Sequence, residues 1–239
     1  MHLTRLYTAP DGHSRVECRT LPFQRRNDVL WSAPLPITGV VYRERGGEYE
    51  VGWRPAPRRQ YVVNLSGGVY GVRDGTHVAQ QPGDVLLLED TEGSGHTSEP
   101  VDGGLRRFLF LTLDDAAGIA PGHGPEGRLV RLYNTPDGES HLEDVPIGEH
   151  ALFGSGGRPQ PARSVAFRWR FGAYASTWHP SPSRHYVVYL KGGFFIEASD
   201  GDSRRLAEGD VLLLEDTEGR GHRGGSLDGR PNQTAWIAL

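Results

Sequence analysis

Short apolar runs rich in β-branched and aromatic residues recur along the chain, each stopped by glycine, proline or aspartate. Gln60-Tyr61-Val62-Val63-Asn64-Leu65 runs into Gly67-Gly68, and His185-Tyr186-Val187-Val188-Tyr189-Leu190 runs into Gly192-Gly193. Runs of this length between turn residues predict strands, and no long stretch carries a helical period. Residues 38–54 and 163–179 read as paired strands around a turn. Residues 85–88 and 211–214 read as apolar strands after a short hairpin, and residues 108–113 and 234–239 as closing strands.

The pattern occurs twice. GDVLLLEDTEGSGH at 83–96 returns as GDVLLLEDTEGRGH at 209–222, differing only at Ser94 and Arg220. Arg5-Leu6-Tyr7 with the turn Pro10-Asp11-Gly12 returns as Arg131-Leu132-Tyr133 with Pro136-Asp137-Gly138. A repeat of about half the chain is too long for a solenoid and predicts two similar domains, residues 1–120 and 121–239. Residues 114–127, rich in Gly, Ala and Pro, are the linker candidate. Many short strands at regular spacing predict an all-β fold of sandwiches or barrels.

Composition narrows the partners. A net charge of −4 gives no broad basic surface, so nucleic acid is not expected as a partner. No segment is apolar over a bilayer's thickness and the start of the chain has no apolar signal region, so no membrane partner and a cytoplasmic location are expected. Cys18 is the single cysteine, so no intrachain disulfide can form, and it reads as a small semi-buried side chain.

The two halves resemble the cupin superfamily, whose fold is a double-sheet jelly-roll barrel, also called a double-stranded β-helix. The resemblance implies two tandem cupin barrels, a bicupin. In the second half Gly192 stands where the first cupin motif ends, His185 at its glutamate position and His179 at its first-histidine position. Ser181 occupies the second-histidine position, which is a departure. The second motif runs from Gly209 to His222, through a longer turn than the family's. The resemblance thus implies a metal site of His179, His185 and His222. Three neutral imidazoles suit one divalent transition metal (Fe, Zn, Ni, Cu or Co) and leave positions open for a substrate. In the first half Arg54 and Gln60 replace His179 and His185, leaving His96 alone. That barrel is expected to be metal-free, with Arg54, Gln60 and His96 as substrate contacts.

Strand alternation places Val187 and Tyr189 on the same face as His185, so Tyr189 is a candidate catalytic residue lining the pocket. Glu215, preceding His222 in one loop, is a candidate general base, although Glu89-Asp90 in the sister repeat favours a structural turn. Arg168, on the strand before His179, is a candidate contact to an acidic substrate. The leading expectation is a metal-dependent enzyme acting on a small organic molecule in the second barrel, with dioxygenase chemistry first. Isomerase, cyclase or lyase chemistry at the same pocket follows, and a non-catalytic ligand-binding bicupin is the reading from another class. A homodimer, or a monomer whose barrels pack as a pseudo-dimer, is the expected assembly.

Overall fold

The computed structural model describes residues 1–45, 51–101, 104–114, 127–146, 150, 152 and 158–239, with the backbone alone at Val51. Most of the linker candidate lies outside the described residues. Those described form strands and turns, with no α-helix among them. The chain forms two compact units, each assembled from three segments. Unit 1 takes Met1–Pro22, Ile37–Glu126 and His150–Pro161, and unit 2 takes Phe23–Pro36, Gly127–Glu149 and Ala162–Leu239. The division is therefore not one cut near residue 120.

In unit 2 the large sheet runs Ser140–Pro146, Arg128–Asn134, Val211–Leu214, His185–Lys191, Asn232–Ala238, Ser164–Arg170, Val29–Ser32, Phe23–Arg26. Arg128–Asn134 pairs parallel with Val211–Leu214, and the other neighbours are antiparallel. The small sheet is Ser203–Leu206, Phe194–Ala198, His222–Ser226. Unit 1 repeats this order. Its large sheet is Gln160–Pro161, Gly39–Arg45, Arg106–Thr112, Gln60–Asn64, Val85–Glu89, His2–Thr8, Ser14–Thr20. Its small sheet is His77–Gln80, Gly68–Gly71, His96–Pro100, Val51–Arg54. A large and a small sheet enclosing one core, twice over, is the expected pair of all-β jelly-roll barrels.

Side-chain alternation builds each core. In unit 2 Val187 and Tyr189 lie beside Leu212 and Leu214 of the adjoining strand and face Ile196 across the barrel. The other face of the same strands is also buried: Tyr186, Val188, Ala235 and Ile237 are at most 1% exposed. Burial on both faces explains why these strands read as continuous apolar runs instead of alternating ones.

The duplicated motifs meet one another. In unit 2 the Pro136-Asp137-Gly138 turn accepts a hydrogen bond from Arg220 N at Gly138 O, 2.9 Å, and Gly12 accepts the same bond from Ser94 N in unit 1. Gly219 adopts φ 72°, and a Cβ there would stand 2.4 Å from the Gly138 oxygen. The turn at the start of each repeat and the glycine loop near its end are thus one contact.

Residues 38–54 do not form the expected hairpin. Gly39–Arg45 pairs with Arg106–Thr112 and Val51–Arg54 with His96–Pro100, in different sheets. In unit 2 the stretch after Arg170 forms no strand up to His185 but is tied by isolated bridges, Ala175 to Gly225 and His179 to His222, and by further hydrogen bonds at Tyr174, Ser176 and Ser181.

Candidate functional site

A cavity opens inside the unit 2 barrel, with roughly 510 Å³ of empty space counting the solvent at its mouth. Tyr189, Val187 and Leu214 line one wall from the large sheet, and His222 and Ile196 another from the small sheet. Arg168 and Arg170 enter from Ser164–Arg170, and Asn232, Thr234 and Trp236 from Asn232–Ala238. The two repeats differ here. Asn232 and Thr234 occupy the positions of Arg106 and Phe108 in unit 1. There Arg106 is 1% exposed and donates to Ser98 Oγ, Asn64 Oδ1 and Tyr70 Oη at 2.6–2.8 Å, filling the barrel interior. In unit 2 these two side chains are smaller, while Tyr189 and Phe194 stand where unit 1 has Asn64 and Gly68.

His222 lies on the cavity wall, 7% exposed, with Nδ1 at 2.6 Å from Asp216 Oδ2. Asp216 is fully buried, and its Oδ1 accepts the hydroxyl hydrogen of Ser181 at 2.7 Å. His179 bridges His222 through the backbone, N to O at 3.0 Å and 2.9 Å, and their rings stand 4.6 Å apart. His179 Nδ1 meets the Thr177 carbonyl at 2.8 Å. A carboxylate and a carbonyl both require hydrogen on the facing Nδ1, so each ring presents Nε2 as its remaining nitrogen. Gly221 makes the bridge possible: at φ 69°, its Cβ would stand 2.1 Å from the carbonyl carbon and oxygen of His179. Only a glycine lets the two strands approach so closely.

The third histidine is not with them. His185 is half-buried at the first position of its strand, with Nδ1 at 2.8 Å from Ser183 O and its ring edge-on to Trp236 at 5.6 Å. It is not among the residues lining the cavity. Among the described residues, no group of three or more His, Cys, Asp or Glu side chains could hold a metal ion. His179 and His222 adjoin, and the His185 ring stands against Trp236.

Glu215 is placed elsewhere too. Leu212 and Leu214 face the cavity, so alternation turns Glu215 away from it. Its carboxylate is held by Arg131 Nε at 2.6 Å and by Arg184. Burial pushes its pKa up, but hydrogen bonds from both arginines outweigh this and hold it below the ordinary value. Glu89 is held alike by Arg5 and Arg59 in unit 1. The pair is a sheet clamp, as its occurrence in both repeats suggests.

Tyr189 does line the cavity, 3% exposed, and burial pushes its phenol pKa far up, so it stays protonated. Arg168 lines it as well, its guanidinium carbon 4.9 Å from the Trp31 ring centre and 5.1 Å from that of Trp236. Arg170 lies over the Tyr174 ring, and burial lowers its pKa. In unit 1 Arg54 is exposed and pairs by backbone with His96 in the small sheet, while Gln60 is buried in the large sheet. His96 Nδ1 meets Asp90 Oδ2 at 2.7 Å. Ala56 stands where unit 2 has Ser181, and Asp90 Oδ1 is buried without a partner.

Sequence reasoning missed Asp216 as the support of His222, and Asn232 and Thr234 as residues lining the cavity. Comparing the repeats for large-to-small exchanges on the closing strand would have pointed to the latter.

The fold is the pair of two-sheet jelly-roll barrels that the motifs imply. No known family's sequence profile matches the chain, and no curated protein matches it. Solved structures similar to it include the cupin 2 conserved barrel domain protein from Leptotrichia buccalis, 10% identical over 90% of this chain and 91% of that one, TM-score 0.44. The putative glyoxylate induced protein from Pseudomonas aeruginosa is 12% identical over 90% and 83%, TM-score 0.41. A variant of salicylate 1,2-dioxygenase from Pseudoaminobacter salicylatoxidans is 10% identical over 88% and 70%, TM-score 0.39.

Proposed function

We propose that unit 2 is a small-molecule site in which His222, oriented by Asp216, moves a proton to or from the bound molecule, as a non-redox cupin enzyme of the isomerase, cyclase or lyase kind. The observation that carries this reading is the 2.6 Å bond from buried Asp216 to His222 on the cavity wall. A buried carboxylate on Nδ1 fixes the tautomer and stabilises the imidazolium formed when Nε2 accepts a proton. His179 stands beside it, and Tyr189 offers a protonated hydroxyl at the same cavity. The metal-dependent reading, oxygenation included, rests on His179, His185 and His222 acting together. His185 does not line the cavity, so no step is routed through a metal. Unit 1, its interior filled by Arg106, supports the fold in this reading.

The test is hydrogen exchange. Small carbonyl compounds are incubated with the full chain in deuterated water, and exchange of the hydrogens beside the carbonyl is followed by NMR. Catalysed exchange with at least one compound is expected, falling about 100-fold or more in His222→Asn, the usual scale for losing a general base. Equal rates in wild type and variant across the set would overturn the reading.

A further inference from the structure

The small-molecule reading of this cavity leaves open what it takes up, and the lining narrows the class. Among the described residues no aspartate or glutamate lines the cavity, while Arg168, Arg170, His179 and His222 do. Two of the lining residues carry an unmatched donor. Arg168 Nε and Asn232 Nδ2 are both buried with no hydrogen-bond partner, and Asn232 is only 4% exposed. Thr234 Oγ1 already accepts a bond from Trp236 Nε1 at 3.0 Å. Arg168 faces Thr234 across the strand pair and Arg170 faces Asn232, so Arg168 and Asn232 are diagonal neighbours on one sheet face.

A buried donor without an acceptor costs about 1–3 kcal/mol, so two on residues that line one cavity point to an acceptor from outside. At the position of Asn232, unit 1 carries Arg106, whose terminal nitrogens are matched from within the barrel by Ser98, Asn64 and Tyr70. Besides the hydroxyl-bearing Tyr174, Ser176, Tyr189 and Thr234, the rest of the lining is apolar: Val187, Leu212, Leu214, Ile196, Phe194 and Trp236.

We propose that the unit 2 cavity binds an apolar-bodied organic monocarboxylate. Its carboxylate accepts from Arg168 and Asn232, and its body lies against the apolar wall. The two indoles flanking Arg168 keep the guanidinium in place and shield the ion pair from water, which strengthens it. This inference rests on the small-molecule reading of the same cavity.

Phenylacetate and cyclohexanecarboxylate, each against its neutral amide, test it by calorimetric titration of the full-length protein. The amides keep the shape and lose the charge. The acids are expected to bind about 10- to 100-fold tighter than the amides. Arg168→Gln and Asn232→Leu should each bring acid binding down toward the amide level. Equal binding of acid and amide to the wild type overturns the proposal with no variant needed, and so does an acid preference that survives both substitutions. His222→Asn separates the two readings. Acid preference retained while exchange is lost supports both. Exchange on neutral compounds without acid preference sinks the carboxylate alone, and acid preference with exchange unaffected by His222→Asn sinks the proton transfer alone.

Discussion

Ser181 gives its hydroxyl hydrogen to Asp216 Oδ1 at 2.7 Å, and the other oxygen of that carboxylate holds His222 at 2.6 Å. The position where cupins carry a second histidine thus holds a serine that acts on the site from behind. In unit 1 the same place is Ala56, and its Asp90 Oδ1 has no partner. The backbone bond is the same in both, Ala56 N to Asp90 O and Ser181 N to Asp216 O at 2.9 Å, while the hydroxyl on the carboxylate comes from Ser181 at Asp216 Oδ1 and from Ser14 at Asp90 Oδ2.

Ser181→Ala should therefore destabilise the protein by about 1–3 kcal/mol, the cost of an unpaired buried acceptor. Ala56→Ser should do the reverse in unit 1, by up to about 1 kcal/mol, because it supplies the missing donor. Urea unfolding of both variants checks this, and the opposite signs separate the hydroxyl's effect from general damage.

The two glycines that bracket the second motif should respond differently to alanine. At Gly209, φ is 89° but nothing stands within 4 Å of a new Cβ, so only backbone strain of about 1 kcal/mol is expected. At Gly221 the Cβ would overlap the His179 backbone at 2.1 Å. Gly221→Ala should cost at least about 3 kcal/mol and separate His179 from His222. Melting temperatures of the two variants give the ranking, at about 2–4 °C per kcal/mol.

Glu215 should show itself in acid. Its folded pKa is depressed by Arg131 and Arg184, so its contribution is complete above the unfolded value near ~4.3 and is lost as pH falls through the folded value. Glu215→Gln should cost about 1–3 kcal/mol at neutral pH by leaving two arginines without their anion. The gap between wild type and variant should close as pH drops below about 4, read from urea midpoints at several pH values. Exchange catalysis, if governed by His222, should survive this substitution.

Refilling the cavity should silence it. Thr234→Phe installs the residue that unit 1 carries as Phe108. The fold should persist at a cost of about 1–3 kcal/mol for overpacking, while carboxylate binding disappears. Circular dichroism and the same calorimetric titration read the two outcomes separately.

Much of the fold was legible because its cause is local. Tyr186-Val187-Val188-Tyr189-Leu190 and Val211-Leu212-Leu213-Leu214 must be buried on both faces, and the glycines after them must turn. The false hairpin at 38–54 shows where that stops: alternation predicts strands, but pairing depends on residues far along the chain, here 96–112. The edge strands Val29–Ser32 and Phe23–Arg26 were missed for the same reason, since their partner is Ser164–Arg170.

The site divides along the same line. The residues by themselves determined the duplication, the strand and turn order, and that His179, Tyr189 and His222 belong to one barrel with Arg168. They also determined that Glu215 recurs as Glu89, while its clamp on Arg131 and Arg184 needed the structure. Only the tertiary structure decided that His185 stays off the cavity, that Asp216 and Ser181 stand behind His222, and that Arg168 Nε and Asn232 Nδ2 are left without partners. The physical reason is that sequence sets which face of a strand a side chain leaves from. Which donors end beside an acceptor, and which beside empty space, depends on neighbours from distant strands.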